Sequence, residues 1–344
     1  MECQVSDAFS YGGSPIFFLD EDSYGYLVGN SIRVLSLLAH STKCFIPGRS
    51  ELGISAYASC PRAGLYAVAN RATPPSIDVM LWPDQKDVAR IEGGADLEDA
   101  SVCFSRQGDR VAAISNVRTP TITTWRLNAS TGEVTKLAEA TMPFECTDVQ
   151  INPANNAMMS TIGTEGILFW KLTTVQGVET LTQVLGNTAD LSGVLVADEE
   201  EEDDEEEEDE DGNVIKDEDH APTKNHFLAQ CWGTENKVYA GNADGSVGCF
   251  NADSGELEQH YNPAADKDMG MQLGTEEARV VGIFCTKREL IVATAKQFVY
   301  WLRLPNIAEK GVFHVGTIFG ITQSEMPPER VRRTPDKLPS ELPS

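Results

Sequence analysis

A short pattern that ends in tryptophan recurs along this chain with a period of about 43 residues. Apolar runs end at Trp82, Trp125 and Trp170, so consecutive tryptophans lie 43 and 45 residues apart. A period of this length means that one small unit is repeated, and that neighbouring units bury each other's apolar faces. Helical periodicity is hard to find anywhere in the chain. The repeat therefore restricts the chain to an array of similar β-rich units.

Each unit contains about four short β-rich runs, separated by Gly, Pro, Asn or Asp. In the third unit these runs cover 100–105, 110–115, 121–127 and 133–138. The Asp244-Gly245 pair indicates a tight hairpin in a later unit, because Gly adopts a positive φ without steric cost. Units of this length, with four strands and an aromatic residue closing the third strand, indicate blades of a WD40-type β-propeller.

The predicted fold class is therefore all-β: a WD40-type β-propeller with six recognisable four-stranded blades, a seventh missing or irregular, and a disordered acidic loop. Because propellers of this type usually have seven blades, we expect the chain to be a fragment or a truncated product. The predicted organisation is an N-terminal segment at 1–14, blades 1–4 at 15–186, an acidic disordered insert at 187–224, blades 5–6 at 225–320 and a disordered Pro-rich tail at 321–344.

The aromatic residue that closes the third strand of each unit is expected to pack between adjacent blades, in preference to forming a platform for a ligand. The chain contains no Trp-Asp dipeptide and no Gly-His pair that opens a blade, so the pattern is that of a divergent propeller. The predicted structural aromatics are Trp82, Trp125, Trp170, Phe250 and Trp301.

The charge of the chain is concentrated in one segment. The chain has 27 basic and 53 acidic residues and a net charge of −26, and residues 198–211 are all acidic. With Lys216 and the acids at 217–219, this segment carries −16, and the remainder of the chain carries −10. Recognition of nucleic acid depends on clustered Lys and Arg, so we predict no nucleic-acid partner. No apolar stretch is long enough to cross a bilayer and no signal peptide is evident, so we predict no membrane partner.

The acidic segment has three interpretations. Read plainly, it is a solvated, self-repelling spacer. It could instead bind a basic partner through its charge. The third interpretation is a calcium-binding loop, which the segment weakly resembles. Gly212 would lie at the turn, and the residues at ligand positions would be Glu207, Asp209, Asp211 and Glu218. Position 1 is Glu where Asp is usual, and neither flank is a convincing amphipathic helix, so we predict no metal site and no cofactor.

The chain carries no recognisable enzyme motif. Its eight cysteines form no C-x-x-C pair, and several lie in alternating apolar runs. We therefore expect these cysteines to be small buried side chains of a protein in a reducing compartment. The five histidines lie outside any nucleophile or metal motif, and no P-loop, G-x-S-x-G or dinucleotide fingerprint occurs. We therefore predict no catalytic residue and no enzymatic activity. The cysteines are Cys3, Cys44, Cys60, Cys103, Cys146, Cys231, Cys249 and Cys285.

Several short stretches resemble the amino-terminal propeller of the WD-repeat cilia- and flagella-associated proteins. The resemblance is strongest to member 43, a component of the tether/tether-head complex, and members 44 and 57 are also similar. It covers roughly residues 15–305, but these proteins are longer and carry a second propeller and a coiled-coil tail. The matching stretches lie at 26–34, 103–105, 151–153, 230–232, 239–241 and 244–245.

The resemblance implies a non-enzymatic scaffold of the ciliary or flagellar axoneme, located in the cytoplasm and cytoskeleton. Such a scaffold would tether the heads of inner dynein arms to doublet microtubules and so regulate cilium movement. The implied partners are the tether/tether-head proteins, inner-arm dynein and the doublet microtubule. The alternative is a cytosolic or nuclear WD-repeat adaptor whose acidic loop binds basic proteins such as histones.

Overall fold

The computed structural model describes residues 16–188, 225–262, 279–286, 288–295, 298–305 and 309–314. The acidic run, the calcium-like pattern at Glu207, Asp209, Asp211 and Glu218, the N-terminal segment and the Pro-rich tail lie outside these residues.

The described residues form 24 β-strands. In chain order the strands are β1 (Phe17–Phe18), β2 (Ser23–Val28), β3 (Ser31–Ser36), β4 (Thr42–Pro47), β5 (Ile54–Cys60), β6 (Leu65–Asn70), β7 (Ser76–Leu81), β8 (Lys86–Glu92), β9 (Ser101–Phe104), β10 (Arg110–Ser115), β11 (Thr121–Asn128), β12 (Glu133–Thr141), β13 (Cys146–Ile151), β14 (Met158–Gly163), β15 (Ile167–Val175), β16 (Val178–Leu185), β17 (Phe227–Trp232), β18 (Lys237–Asn242), β19 (Val247–Asn251), β20 (Leu257–Tyr261), β21 (Val280–Cys285), β22 (Glu289–Thr294), β23 (Phe298–Arg303) and β24 (Glu309–His314).

Every four consecutive strands pair antiparallel in sequence order to make one sheet. The six sheets are blade 1 (β1–β4), blade 2 (β5–β8), blade 3 (β9–β12), blade 4 (β13–β16), blade 5 (β17–β20) and blade 6 (β21–β24). The chain is thus an all-β, six-bladed β-propeller, which confirms the fold predicted from the repeat.

Several middle strands of the blades are buried on both faces. Every residue of β6 and of β14 is buried, whereas most residues of β8 and β16 at the blade edges are exposed or half-buried. A strand with a blade on each side needs apolar residues on both faces, so it reads as a continuous apolar run. This explains why period-two alternation is weak in much of the sequence.

An apolar cluster lies between each consecutive pair of blades from blade 1 to blade 6. Between blades 2 and 3, for example, Leu65 and Val79 pack with Val111 and Trp125. The first strands of blades 2 to 6 contact one another in sequence, so they lie innermost. Side chains on these first strands are therefore positioned to meet across blades, near the centre of the ring.

Candidate functional site

Three of the five predicted structural aromatics lie fully buried between blades. Trp125 and Trp170 are each 1% exposed, in the clusters between blades 2 and 3 and between blades 3 and 4. The Trp170 indole Nε1 donates to Thr161 Oγ1 at 3.1 Å, which satisfies its polar atom. Phe250 is buried between blades 4 and 5, with its ring edge-on to Phe227 at 5.8 Å.

The other two aromatics, Trp82 and Trp301, are half-buried. Trp82 follows the end of β7, packs against the cluster between blades 1 and 2, and donates its indole N–H to Asp20 at 2.5 Å. In β23, Tyr300 and Leu302 are the fully buried residues that face blade 5. Trp301 lies between them in the strand and therefore points to the opposite face.

A polar cluster joins the first strands of blades 3, 4 and 5. The Asp148 carboxylate on β13 accepts hydrogen bonds from Gln230 Nε2 at 3.0 Å and from Gln150 Nε2 at 3.3 Å. Ser101 Oγ donates to the other carboxylate oxygen at 3.3 Å. Gln150 Nε2 also donates to the Gln230 carbonyl oxygen at 2.9 Å, so β9, β13 and β17 are bridged by side chains.

Burial governs the electrostatics of this cluster. Desolvation raises the pKa of the half-buried Asp148 carboxyl, and the hydrogen bonds from Gln230, Ser101 and Gln150 lower the pKa by less. Gln230 is buried, and its Oε1 has no hydrogen-bond partner among the described residues. We interpret the arrangement as a link that holds three inner strands together.

Four connecting loops form an exposed surface at one end of blades 2 and 3. Each loop contributes one exposed side chain, and we call these four residues the loop patch: Leu52, Arg71, Leu97 and Arg118. The Arg71 N–H donates to the Gly53 carbonyl at 2.9 Å, and the Ala72 N–H donates to the Leu97 carbonyl at 3.4 Å. These backbone bonds hold the loops side by side.

The loop patch combines exposed apolar side chains with guanidinium groups. Leu52 is 61% exposed and Leu97 is 40% exposed. Arg71 forms an ion pair with Glu98, and a second ion pair joins Arg118 Nη1 to Asp96 Oδ2 at 3.4 Å. Exposed apolar side chains next to Arg are typical of protein-binding surfaces, where Arg is more frequent than on the rest of a protein's surface.

Beneath the loop patch lies a buried acid. Asp99 is 4% exposed, and its Oδ1 has no hydrogen-bond partner among the described residues. Desolvation, with a smaller contribution from neighbouring Glu98, raises the pKa of Asp99 to about 7. Neither Asp99 nor Asp148 was predicted from the sequence, because a lone Asp in a strand-rich stretch carries no motif.

Among the described residues, no group of three or more His, Cys, Asp or Glu is arranged to hold a metal ion. The described part of the chain also contains no helix with the length and hydropathy that a membrane crossing requires.

Solved structures with a similar fold define the structural class. The propeller domain of Cps50 (Swd1) from Myceliophteria thermophila is 11% identical with a TM-score of 0.52, and the alignment covers 77% of this chain and 73% of that one. U3-55K aligns at 10% identity and a TM-score of 0.60, covering 91% and 85%. The RRP9 WD40 repeats align at 11% identity with a TM-score of 0.61, and the alignment covers 91% of this chain and 84% of that one. The fold is that of a WD40-type β-propeller.

Sequence comparison adds two distant relatives, both called cilia- and flagella-associated protein 44. The Mus musculus protein is 27% identical over 154 residues, which is 45% of this chain and 8% of that protein. The Chlamydomonas reinhardtii protein is 24% identical over 164 residues, 46% of this chain and 9% of that protein. The matched segments therefore span less than a tenth of these curated relatives. No family model matches the chain.

Proposed function

We propose that this chain is a non-enzymatic scaffold of the ciliary or flagellar axoneme, which tethers the heads of inner dynein arms to doublet microtubules and so regulates cilium movement. The observation that carries the proposal is the distant similarity to cilia- and flagella-associated protein 44 in an animal and an alga. The likeness to member 43 in the sequence stays a prediction, since the two relatives carry the number 44.

The physical basis of this role is rigid presentation of contact surfaces. The apolar clusters between consecutive blades fix the blades relative to one another, so loops on different blades keep a constant spacing. The loop patch then offers two apolar anchors and two guanidinium groups to an axonemal partner. A tether needs this kind of preorganised surface more than it needs a reactive group.

The proposal is tested by locating the tagged full-length protein in the ciliated cell that makes it, together with deletion of its gene. We expect a signal that stays with the axoneme after detergent extraction, and an altered beat after deletion. Normal beating together with a diffuse cytosolic or nuclear signal would refute the axonemal role.

The acidic segment supports a second candidate function. Fourteen adjacent carboxylates at 198–211 would attract a basic protein, as in a cytosolic or nuclear adaptor that binds histones. This candidate predicts capture of purified histones by the full-length chain, and loss of capture when these acids are replaced by Ser and Gly. The axonemal proposal predicts that the same replacement leaves axonemal attachment intact.

A further inference from the structure

Two thiols from neighbouring blades meet near the centre of the propeller. Cys231 lies on β17 and Cys285 lies on β21, the contacting first strands of blades 5 and 6. Cys231 belongs to the apolar cluster between these two blades, and Cys285 packs against that cluster. The Cys285 thiol also donates a hydrogen bond to the Trp232 carbonyl oxygen, with 3.0 Å between sulfur and oxygen. The packing of the blades therefore brings the two side chains to one cluster, although they are 54 residues apart in sequence.

The two thiols differ in access and in acidity. Cys231 is buried in the cluster with Tyr239, Val292 and Tyr300, whereas Cys285 is half-buried at its margin. The hydrogen bond from Cys231 lowers the pKa of Cys285, and burial raises the pKa of Cys231. A thiol that is both more acidic and more accessible is the one that a small oxidant attacks first.

We propose that Cys285 is a peroxide-reactive thiol and that Cys231 resolves the oxidised form to a disulfide between blades 5 and 6. The oxidant is a hydroperoxide, with hydrogen peroxide as the simplest case. The Cys285 thiolate attacks one peroxide oxygen, the O–O bond breaks, and hydroxide leaves to take up a proton as water. The Cys231 thiol then attacks the sulfenic sulfur, the S–S bond forms, and the sulfenic oxygen leaves as a second water.

Neighbouring thiols lack this arrangement. Cys249 lies in the same cluster, but it is fully buried and hydrogen-bonds with the Tyr239 hydroxyl. The cluster that contains Cys60, between blades 2 and 3, holds no second cysteine among the described residues. The disulfide would therefore be selective, and thiol reductants would reverse it.

The test treats the folded, reduced full-length protein with hydrogen peroxide, and then blocks the remaining thiols with N-ethylmaleimide in denaturant. Trypsin cleavage leaves Cys231 as the one cysteine in peptide 225–237 and Cys285 as the one cysteine in 280–287. We expect these two peptides to be joined, with a mass two hydrogen atoms below their sum, and to separate on treatment with dithiothreitol. The same treatment in urea should give a much lower yield, because the unfolded chain does not hold the thiols together.

Three variants sharpen the test. Cys231→Ser should stop at a sulfenic acid on Cys285, which dimedone labels, and Cys285→Ser should give neither product. Cys44→Ser, in blade 1, is the matched control and should form the link as the wild type does. The proposal is overturned if the folded wild type forms no such link, if Cys285 pairs with Cys249, or if the link forms equally well in urea. The wild-type measurement decides these outcomes even where a variant fails to fold.

Discussion

The carboxyl of Asp99 makes the stability of the fold depend on pH. Its pKa is raised to about 7 in the folded chain, from 3.8 for an ordinary Asp. Between these values the unfolded chain has released this proton while the folded chain keeps it, so the free energy of unfolding falls as pH rises from about 4 to about 7. We expect Asp99→Asn to raise the free energy of unfolding at about pH 8 by roughly 1–4 kcal/mol.

Urea unfolding of the wild type and of Asp99→Asn at about pH 5 and about pH 8 measures this effect. The variant should lose part of the decline in stability between the two pH values. Asp84→Asn is the control, because Asp84 is exposed in the turn after β7. A decline of equal size in all three proteins would contradict the assignment.

The five structural aromatics should differ in what their removal costs. Trp125 is 1% exposed in the cluster between blades 2 and 3, so Trp125→Ala is expected to lower the free energy of unfolding by about 3–5 kcal/mol. Trp301 is half-buried, and Trp301→Ala should cost clearly less, about 1–2 kcal/mol. Equal losses in denaturant unfolding would mean that Trp301 is packed as tightly as Trp125.

At the scale of single elements, the turn between β9 and β10 depends on Gly108. Its φ is +74°, and an added Cβ would lie 2.8 Å from the Ala63 Cβ and 2.9 Å from Leu65 Cδ1. Gly108→Ala therefore adds a steric clash to backbone strain, and it should lower the free energy of unfolding by about 2–4 kcal/mol.

Gly177→Ala separates the two causes. Gly177 has a similar φ of +83° at the tip of the β15–β16 hairpin, but its added Cβ would meet nothing within 4 Å. This control should cost only about 1 kcal/mol, the strain alone. A Gly108→Ala loss no larger than that of Gly177→Ala would show that the turn relaxes away from blade 2.

The sequence predicts the elements better than it predicts their faces. The expected runs at 110–115 and 121–127 agree with β10 and β11, because turn residues and short apolar runs are local signals. Trp301 has the right position in chain order, but one step of register decides which face it lies on, and register is set by pairing with β22.

The polar cluster could not be predicted in this way. Asp148 and Gln230 are 82 residues apart and meet only because the ring brings β13 beside β17. Likewise, Cys231 and Cys285 share no local motif, and the packing of blade 5 on blade 6 places them together. Contacts across blades follow from the packing of each repeat on the next, which no single repeat encodes.

At the scale of the whole molecule, the residues of the loop patch and the residues that hold the fold together are different. The apolar side chains that stabilise the propeller lie between blades, so the loop patch at one end of blades 2 and 3 is free to vary in chemistry. Charge can therefore be introduced there without a large loss of stability. This separation makes the patch testable by substitution.

We expect the double variant Leu52→Asp and Leu97→Asp to fold normally and to lose binding to axonemes. Both side chains are exposed, so stability should change by less than about 1 kcal/mol, while carboxylates in place of apolar anchors should weaken binding by about tenfold or more. The measurement is cosedimentation of the purified chain with detergent-extracted axonemes from cells that lack it. The matched control is Leu38→Asp with Val178→Asp, which should bind as the wild type does. Leu38 lies in the β3–β4 turn of blade 1 and is 84% exposed, and Val178 begins β16 in blade 4 and is 63% exposed. Unchanged binding by the double variant would assign the contact to another surface of the propeller.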